Sequence, residues 1–311
     1  MDTLSRILDL IHFDSSFYYA TSFHSPWSIE IPAYRNVARF HYVSRGSCWV
    51  RIDDEEPRLL SAGDIIIVPH GASQVISDTP DREPIALEKA YEEAGYDGEG
   101  LFSFGEPSSA NDTQLVCGHF EFEEGFRHPL VDQLPKYILG NENDGTGFAW
   151  VKDTLRFMSH SANTQCEGSS AIVKRLSEVI FIQAIQYWQC PGESGNRFLA
   201  ALNDPQLSLG LKAFHDDYSA NWSVDSLASV SCMSRSLFAE RFRQYLDVSP
   251  MQYVTNWRMQ NARQMLADEN LSIDRIAGSV GYESTAAFSK AFKRTIGRNP
   301  GEYRRSLLAR S

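Results

Sequence analysis

Apolar and polar residues alternate in short runs through the first part of the chain. VARFHYVSRGSCWVRID alternates around Gly46, PRLLSAGDIIIVPHGASQVISD turns at Gly63 and carries an apolar run ending at Pro69, and QLVCGHFEFEEGF alternates again. Side chains of a strand point to opposite faces in turn, so several such runs separated by glycine turns predict a β-sandwich or barrel. The charged stretch DREPIALEKAYEEAGYDGEGLFSFGEPSSANDT interrupts the pattern; it predicts a short helix over about 84–94 and loop beyond it. From residue 148 the period lengthens. Val151, Leu155 and Met158, then Ile172, Leu176, Val179, Ile180, Ala184 and Trp188, recur at steps of three and four and predict two amphipathic helices. Their apolar stripes have three destinations open to them: the barrel, the segment that follows, or a second protomer.

The carboxy-terminal part repeats itself. VDSLASVSCMSRSLFAERFRQYLDVSPMQYV registers on IDRIAGSVGYESTAAFSKAFKRTIGRNPGEYR, with Ser234 on Ser284, Phe238 on Phe288, Phe242 on Phe292, Pro250 on Pro300 and Tyr253 on Tyr303, all at an offset of 50. Val224, Asp225, Leu227 and Ala228 fall on Ile273, Asp274, Ile276 and Ala277 at an offset of 49. Each copy reads as a short helix capped by Ser223 or Ser272, a tight turn, and a second helix capped by Ser234 or Ser284. Phe238 and Phe242, like Phe288, Phe292 and Ile296, stand four apart and make one buried stripe. Between the copies, Ser249 as cap and Pro250 at the first helical position open a segment with no breaker before Asn270, so one continuous helix joins them. Such a joint would fix the spacing of the two second helices, and Trp257 within it is expected to pack against one of the copies.

Composition sharpens this division. The 311 residues include 42% hydrophobic and 22% charged positions, enough to bury a sizeable core and to make two domains. The formal net charge is −11, yet from Phe198 onward 14 Lys or Arg face 11 Asp or Glu. An acidic body is therefore followed by a mildly basic tail, and AFSKAFKRTIGRNPGEYRR gathers many of the tail's cations. CPGESGN, with its Pro, Gly and Ser, marks the seam, placing a linker over 191–207. Five cysteines without a CxxC pair support neither a disulfide framework nor a zinc knuckle. No apolar run is long enough to span a bilayer and the start lacks a signal-peptide pattern, so the expectation is a cytoplasmic protein with no membrane partner.

The second helices of the two copies carry the chemistry. Opposite the Phe stripes, copy one presents Arg235, Ser236, Ala239, Glu240 and Arg243; copy two presents Thr285, Ala286, Ser289, Lys290 and Lys293. A helix fits the major groove of B-DNA and reads base edges with residues near its amino end, where small and polar side chains allow close approach. Arg243, Lys293, Arg294, Arg298, Arg304 and Arg305 lie at or beyond the carboxy ends, where phosphate contacts are expected. The tail, from about 208 to 306, resembles the DNA-binding domain of AraC-family bacterial transcription regulators, and RIAGSVGYESTAAFSKAFKRTIGRNPGEYR is close to that family's carboxy-terminal signature. The resemblance puts Ser236, Ala239 and Glu240, then Ala286, Ser289 and Lys290, nearest the bases. Cys232 departs from the pattern, standing where copy two has Gly281; a residue with a Cβ costs about 1 kcal/mol there if the turn needs positive φ. Its thiol, beside a recognition helix, is either an inert turn residue or a group open to oxidation.

The amino-terminal strands resemble a cupin through FHYVSRGSCWV, AGDIIIVPHGA and LVCGHFEFEEGFRHPLVDQLP, and more narrowly the cupin-like sensor half of one AraC subgroup. Metal-binding cupins use two closely spaced His and a Glu on one strand with a His from a later one. Here His41 stands alone in its strand and Gln74 occupies the place of the later His, while His70 precedes Gly71 in a turn; no metal and no cofactor are expected. A barrel mouth could instead hold a small ligand, with His24, Trp27, His41, Trp49 and Arg51 as candidate lining residues and a fully packed barrel as the competing arrangement. In resembling regulators the two following helices serve dimerisation.

The expectation is thus an α+β two-domain protein. A cupin-like sensing domain spans 1–190, with a barrel over about 20–130 and a helical pair over about 148–190, and an all-α duplicated helix-turn-helix spans 208–306, with units at about 223–246 and 272–296. Its function reads as sequence-specific transcription regulation without catalysis, with promoter DNA, a small-molecule effector, a second copy of the chain and, for an activator, RNA polymerase as partners. The competing classes are a metal-dependent cupin enzyme carrying a helical binding module and a scaffold that binds partners through the duplicated helices.

Overall fold

The computed structural model describes residues 2–11, 13–98, 100–106, 112–122, 128–141, 153–155, 157, 167–187 and 197–308. They fall into two compact units. Val151, Met158 and Trp188 of the expected helical stripes lie outside the described residues.

The strand unit contains β1 (Phe13–His24), β2 (Ser28–Ile31), β3 (Val37–Arg45), β4 (Ser47–Ile52), β5 (Arg58–Ser61), β6 (Asp64–Val68), β7 (Gln74–Ser77), β8 (Ile85–Ala86), β9 (Leu101–Phe104), β10 (Asp112–Phe122) and β11 (Ile138–Asn141). They form two open sheets, ordered β11-β6-β3-β10-β1-β9 and β5-β4-β7-β2-β8, so the expected barrel is a pair of sheets rather than a closed cylinder. One core lies between them: Val43, Ile66, Leu115 and Cys117 from the first sheet meet Ile29, Val50, Ile52 and Ile76 from the second. Alternation decides which side chains enter. In β4, Cys48, Val50 and Ile52 are buried while Ser47, Trp49 and Arg51 are not.

β3 breaks the simple rule, because Val37 to Val43 are all buried. The first sheet is covered on both faces. Phe40 stacks on Phe120 at 5.6 Å between ring centroids, and Phe181 of the helix Ser169–Tyr187 lies 5.7 Å from Phe120 and 5.4 Å from Phe122. That helix buries Ile180, Phe181, Ala184 and Ile185, whereas Ile172 and Val179 are exposed. The apolar stripe is thus rotated from the expected one toward Phe181 and Ile185. The short helix expected over 84–94 is present as Leu87–Ala94, ended by Gly95 in the left-handed region.

The second unit is helical. Its helices are labelled α1 (Thr3–Leu10), α3 (Pro129–Asp132), α5 (Arg197–Asn203), α6 (Leu207–Asp216), α7 (Val224–Val230), α8 (Arg235–Leu246), α9 (Pro250–Leu266), α10 (Ile273–Ser279), α11 (Thr285–Ile296) and α12 (Pro300–Leu308), with α2 (Leu87–Ala94) and α4 (Ser169–Tyr187) the two helices of the strand unit given above. Residues 2–11 and 128–133, which precede the seam in sequence, pack with these helices. Arg6 of α1 donates to the His215 carbonyl at 3.1 Å and pairs with Asp216. His128, the N-cap of α3, sits between Phe198 and Tyr253, its Nε2 3.1 Å from the Tyr253 hydroxyl, while His215 Nε2 lies 2.8 Å from the same oxygen. Burial holds both imidazoles below their usual range, His215 at about 3, so the pair is neutral around one phenol. Trp257 packs edge-on at 4.3 Å to His215, a residue of α6 ahead of copy one and not of the copy it was expected to meet.

No described helix is long and apolar enough to cross a membrane.

Candidate nucleic-acid interface and ligand cavity

The two sequence copies fold alike. Ser223 Oγ accepts the Ser226 N–H, Ser234 the Leu237 N–H, Ser272 the Arg275 N–H and Ser284 the Ala287 N–H, each at 3.1–3.3 Å. Ser249 caps α9 with Pro250 at its first position. The intervening turns match bond for bond: Met233 N–H donates to Ala228 O and Tyr282 N–H to Ala277 O, both at 2.9 Å. Cys232 and Gly281 take φ of +53° and +80°, so the turn does require the left-handed region and copy one meets it with a side chain. Phe238, Phe242 and Leu246 are buried in copy one; Phe288, Ala291 and Phe292 are buried in copy two, with Ile296 packed at the edge of the cluster.

With those faces committed to the core, the remainder of α8 and α11 is open. Arg235, Ser236, Glu240, Arg243, Ala286, Lys290, Lys293, Arg294 and Arg298 are exposed, and Ala239, Thr285 and Ser289 are partly so. Both helices are tethered at their amino ends to the helix before them: Arg235 pairs with Asp225 at 3.0 Å, and the Thr285 hydroxyl donates to Asp274 at 2.6 Å. Asp225 and Asp274 are legible in the repeat as aligned acids, but not as the groups that tether α8 and α11. Arg304 is a correction. It does not point outward for phosphate; Nη2 donates to Leu271 O at 2.6 Å and Nε to Leu266 O at 3.2 Å, closing the carboxy end of α9.

The joint between copies is more than a continuous helix. Arg258 of α9 donates to Tyr218 O, Ala220 O and Gly281 O at 2.9, 2.6 and 3.3 Å. One guanidinium thereby fastens the loop entering copy one to the turn of copy two. Gly281 is required for this approach as well as for its φ, since a Cβ would stand 2.3 Å from Ser219 O and 2.8 Å from Arg258 Nη2.

In the strand unit, the five candidate lining residues separate. Trp49 and Arg51 point away from the core, as the alternation of β4 dictates, and Arg51 borders an acidic surface basin with Glu30, Asp53 and Asp54. His24 is held by Asp112 at 2.7 Å at the strand end, and Trp27 fills the core against Phe23 at 4.5 Å. His41 alone makes an interior polar cluster. It lies opposite Cys117 in register, and across the sheets its Nε2 is 2.7 Å from Gln74 Oε1. Gln74 Nε2 donates to Ala72 O, leaving Oε1 to accept from His41 Nε2–H; Nδ1 then accepts the Cys117 thiol at 3.1 Å. Burial lowers His41 to about 4, and burial raises the Cys117 thiol, so the chain of bonds carries no charge. A cupin-type metal does not fit here: the Nε2 that would face it is committed to Gln74, and His70 is turned to Leu134 O at 2.9 Å. No group of three His, Cys, Asp or Glu suited to a metal occurs among the described residues.

An open space lies one step further along the same inner face. A cavity of about 330 Å³ is bounded by Val37 and Arg39 of β3, His119 and Glu121 of β10, and Leu87, Tyr91 and Tyr96 from α2 and its exit. None of the five candidates borders it. Arg39 precedes His41 by two positions, so strand periodicity placed it on the same face, and that was the signal available in the sequence. Burial, with Arg39 nearby, keeps the His119 imidazole below its usual range, against an upward pull from Glu121.

Comparison with known proteins agrees with this two-part layout. A family model described as Cupin matches residues 2–190, and one described as Helix-turn-helix domain matches residues 227–306. The HTH-type transcriptional regulator AlkR of Acinetobacter baylyi (strain ATCC 33305 / BD413 / ADP1) is 29% identical over 98% of this chain and 99% of its own. A putative AraC-like transcription regulator of Streptomyces antibioticus is 30% identical over 98% of this chain and 99% of its own. The RCS-specific HTH-type transcriptional activator RclR of Escherichia coli (strain K12) is 26% identical over 98% and 97%. With a cupin domain ahead of two helix-turn-helix units alike in caps and turn, the chain belongs to the AraC family of DNA-binding transcription regulators.

Proposed function

We propose that α8 and α11 enter two successive major grooves of promoter DNA, with Ser236, Ala239 and Glu240 of copy one and Ala286, Ser289 and Lys290 of copy two against base edges. Arg235 and Thr285 stand at the amino ends of the same helices. Arg243, Lys293, Arg294 and Arg298 then meet phosphate. The observation that carries this reading is the exposed small and polar face left on both helices once their Phe stripes are buried, on copies locked together through Arg258. A lock between the copies favours one fixed spacing of the reading helices, which suits sites about one helical turn apart.

The strand unit supplies the signal. A small effector in the cavity beside Arg39 alters operator affinity through the relative stability of two conformations of the chain, and a homodimer spans paired sites. RNA polymerase is a partner where the outcome is activation. The chain acts by binding in the cytoplasm and not by catalysis, because His41, the residue a cupin centre would need, is spent on Gln74 and Cys117.

Promoter fragments enriched from the source genome by the full chain test the reading. Binding should fall steeply with salt, and Lys290→Ala with Lys293→Ala should weaken it at least tenfold while leaving the thermal transition in place. Unchanged binding by that variant would favour a scaffold that uses these helices for other partners.

A further inference from the structure

We infer that the cavity beside Arg39 is a site for a small organic monocarboxylate with an apolar or aromatic body. This rests on the proposal that the strand unit takes an effector, and names its chemical class.

Arg39 is 8% exposed, yet no hydrogen bond or carboxylate partner to its guanidinium occurs among the described residues, and its Nε is buried without one. The Tyr34 ring lies against it, 4.3 Å from the guanidinium carbon. Holding a buried cation there with no carboxylate in direct contact among the described residues is costly, and the inner faces of β3 and β10 hold it all the same. It borders a cavity of about 330 Å³, within the roughly 300–1,000 Å³ range of small-molecule sites. The planar guanidinium matches a carboxylate in two parallel hydrogen bonds. Around it, Val37, Leu87, Tyr91 and Tyr96 offer apolar and aromatic surface for the rest of the molecule. Glu88 and Glu121 stand at the exposed rim, and two acids near one buried cation disfavour a doubly charged phosphate while tolerating a single negative charge. The adjoining His41, Gln74 and Cys117 cluster is closed upon itself, so it does not compete for the ligand.

The test uses the full chain with benzoate and hexanoate as probes, against benzamide and inorganic phosphate as controls, read by thermal unfolding and by affinity for the enriched promoter fragment. A carboxylate at a hundredfold excess over its Kd should raise Tm by about 5 °C and change promoter affinity, with neither control doing so. Arg39→Met should abolish both responses and, by removing an uncompensated charge, leave the free protein at least as stable as the parent. The assignment is overturned if neither carboxylate shifts Tm, if phosphate matches them, if Arg39→Met responds as the parent does, or if that substitution itself lowers Tm, which would make Arg39 a packing residue. Benzamide acting alone would overturn the charge class while leaving an effector cavity in place. If Leu87→Trp, which fills the cavity, also left every response unchanged, the effector reading itself would fall.

Discussion

Replacing Gly281 by Ala and Cys232 by Gly perturbs the equivalent turns of the two copies in opposite directions. Gly281→Ala forces a Cβ into a residue with φ of +80°, at a cost of about 1–2 kcal/mol, and into the space 2.3 Å from the Ser219 carbonyl oxygen. A backbone oxygen cannot swing aside as a side chain would. The loop at Tyr218 to Ala220 must shift, and Arg258 loses part of the alignment of its bonds to Tyr218, Ala220 and Gly281, each charge-assisted and worth about 1.5–3 kcal/mol. The summed expectation is roughly 3–5 kcal/mol of destabilisation. Cys232→Gly removes a side chain that projects into solvent from φ +53° and keeps the backbone bonds of the turn. Strain of about 1 kcal/mol is relieved and part of it is offset by the greater freedom of Gly in the unfolded chain, so the variant should match the parent or exceed it slightly. Urea unfolding of the full chain, with hydrogen exchange resolved over α7–α8 and α10–α11 separately, measures both. Gly281→Ala should speed exchange in both copies, since Arg258 bridges them. Equal effects of the two substitutions, or loss confined to α10–α11, would refute the account of Arg258 as the fastening between copies.

Two further outcomes follow from buried polar groups. His128 and His215 are neutral in the fold with lowered pKa values, so the unfolded chain binds more protons; stability falls as pH drops below about 6.5, and for His215 it goes on falling to about 3. Between pH 7.5 and 5.5 the helical unit should lose about 1 kcal/mol per histidine, and urea midpoints that stay level over this range would mean that an imidazole is charged in the native state. Arg304→Ala should cost about 1–3 kcal/mol by leaving the Leu266 and Leu271 carbonyls unpaired, yet leave the salt dependence of promoter binding unaltered; a salt slope smaller by about one would return Arg304 to the phosphate contacts.

Local rules carried much of the architecture. The Ser caps, Pro250, the Phe stripes and the left-handed turn at Cys232 depend on residues within one or two turns of one another, and the repeat allowed each to be checked against its copy. Groups whose roles depend on the sheets and helices around them were not legible. Arg39 and Arg51 look alike as cations in alternating strands, but only the placement of the second sheet makes one interior and the other exterior. Phe181 carries the buried stripe of α4 because the outer face of the first sheet offers Phe120 and Phe122, a demand that helical spacing alone does not express. Arg304 and Arg298 likewise sit in one basic run, and the free carbonyls at the end of α9 claim only the first of them.

The socket around Tyr253 bears on how the molecule can be taken apart. The ring that completes it, His128, comes from residues between β10 and β11, while Phe198 comes from α5, a helix formed inside the stretch expected to be linker, and Trp257 from α9 beyond it. Severing the chain at 191–207 therefore does not release an intact DNA-binding piece. It uncovers an aromatic wall and leaves the phenol short of one of its two imidazoles. A fragment meant to bind DNA alone should be marginal in solution until a peptide spanning 128–133 is restored to it.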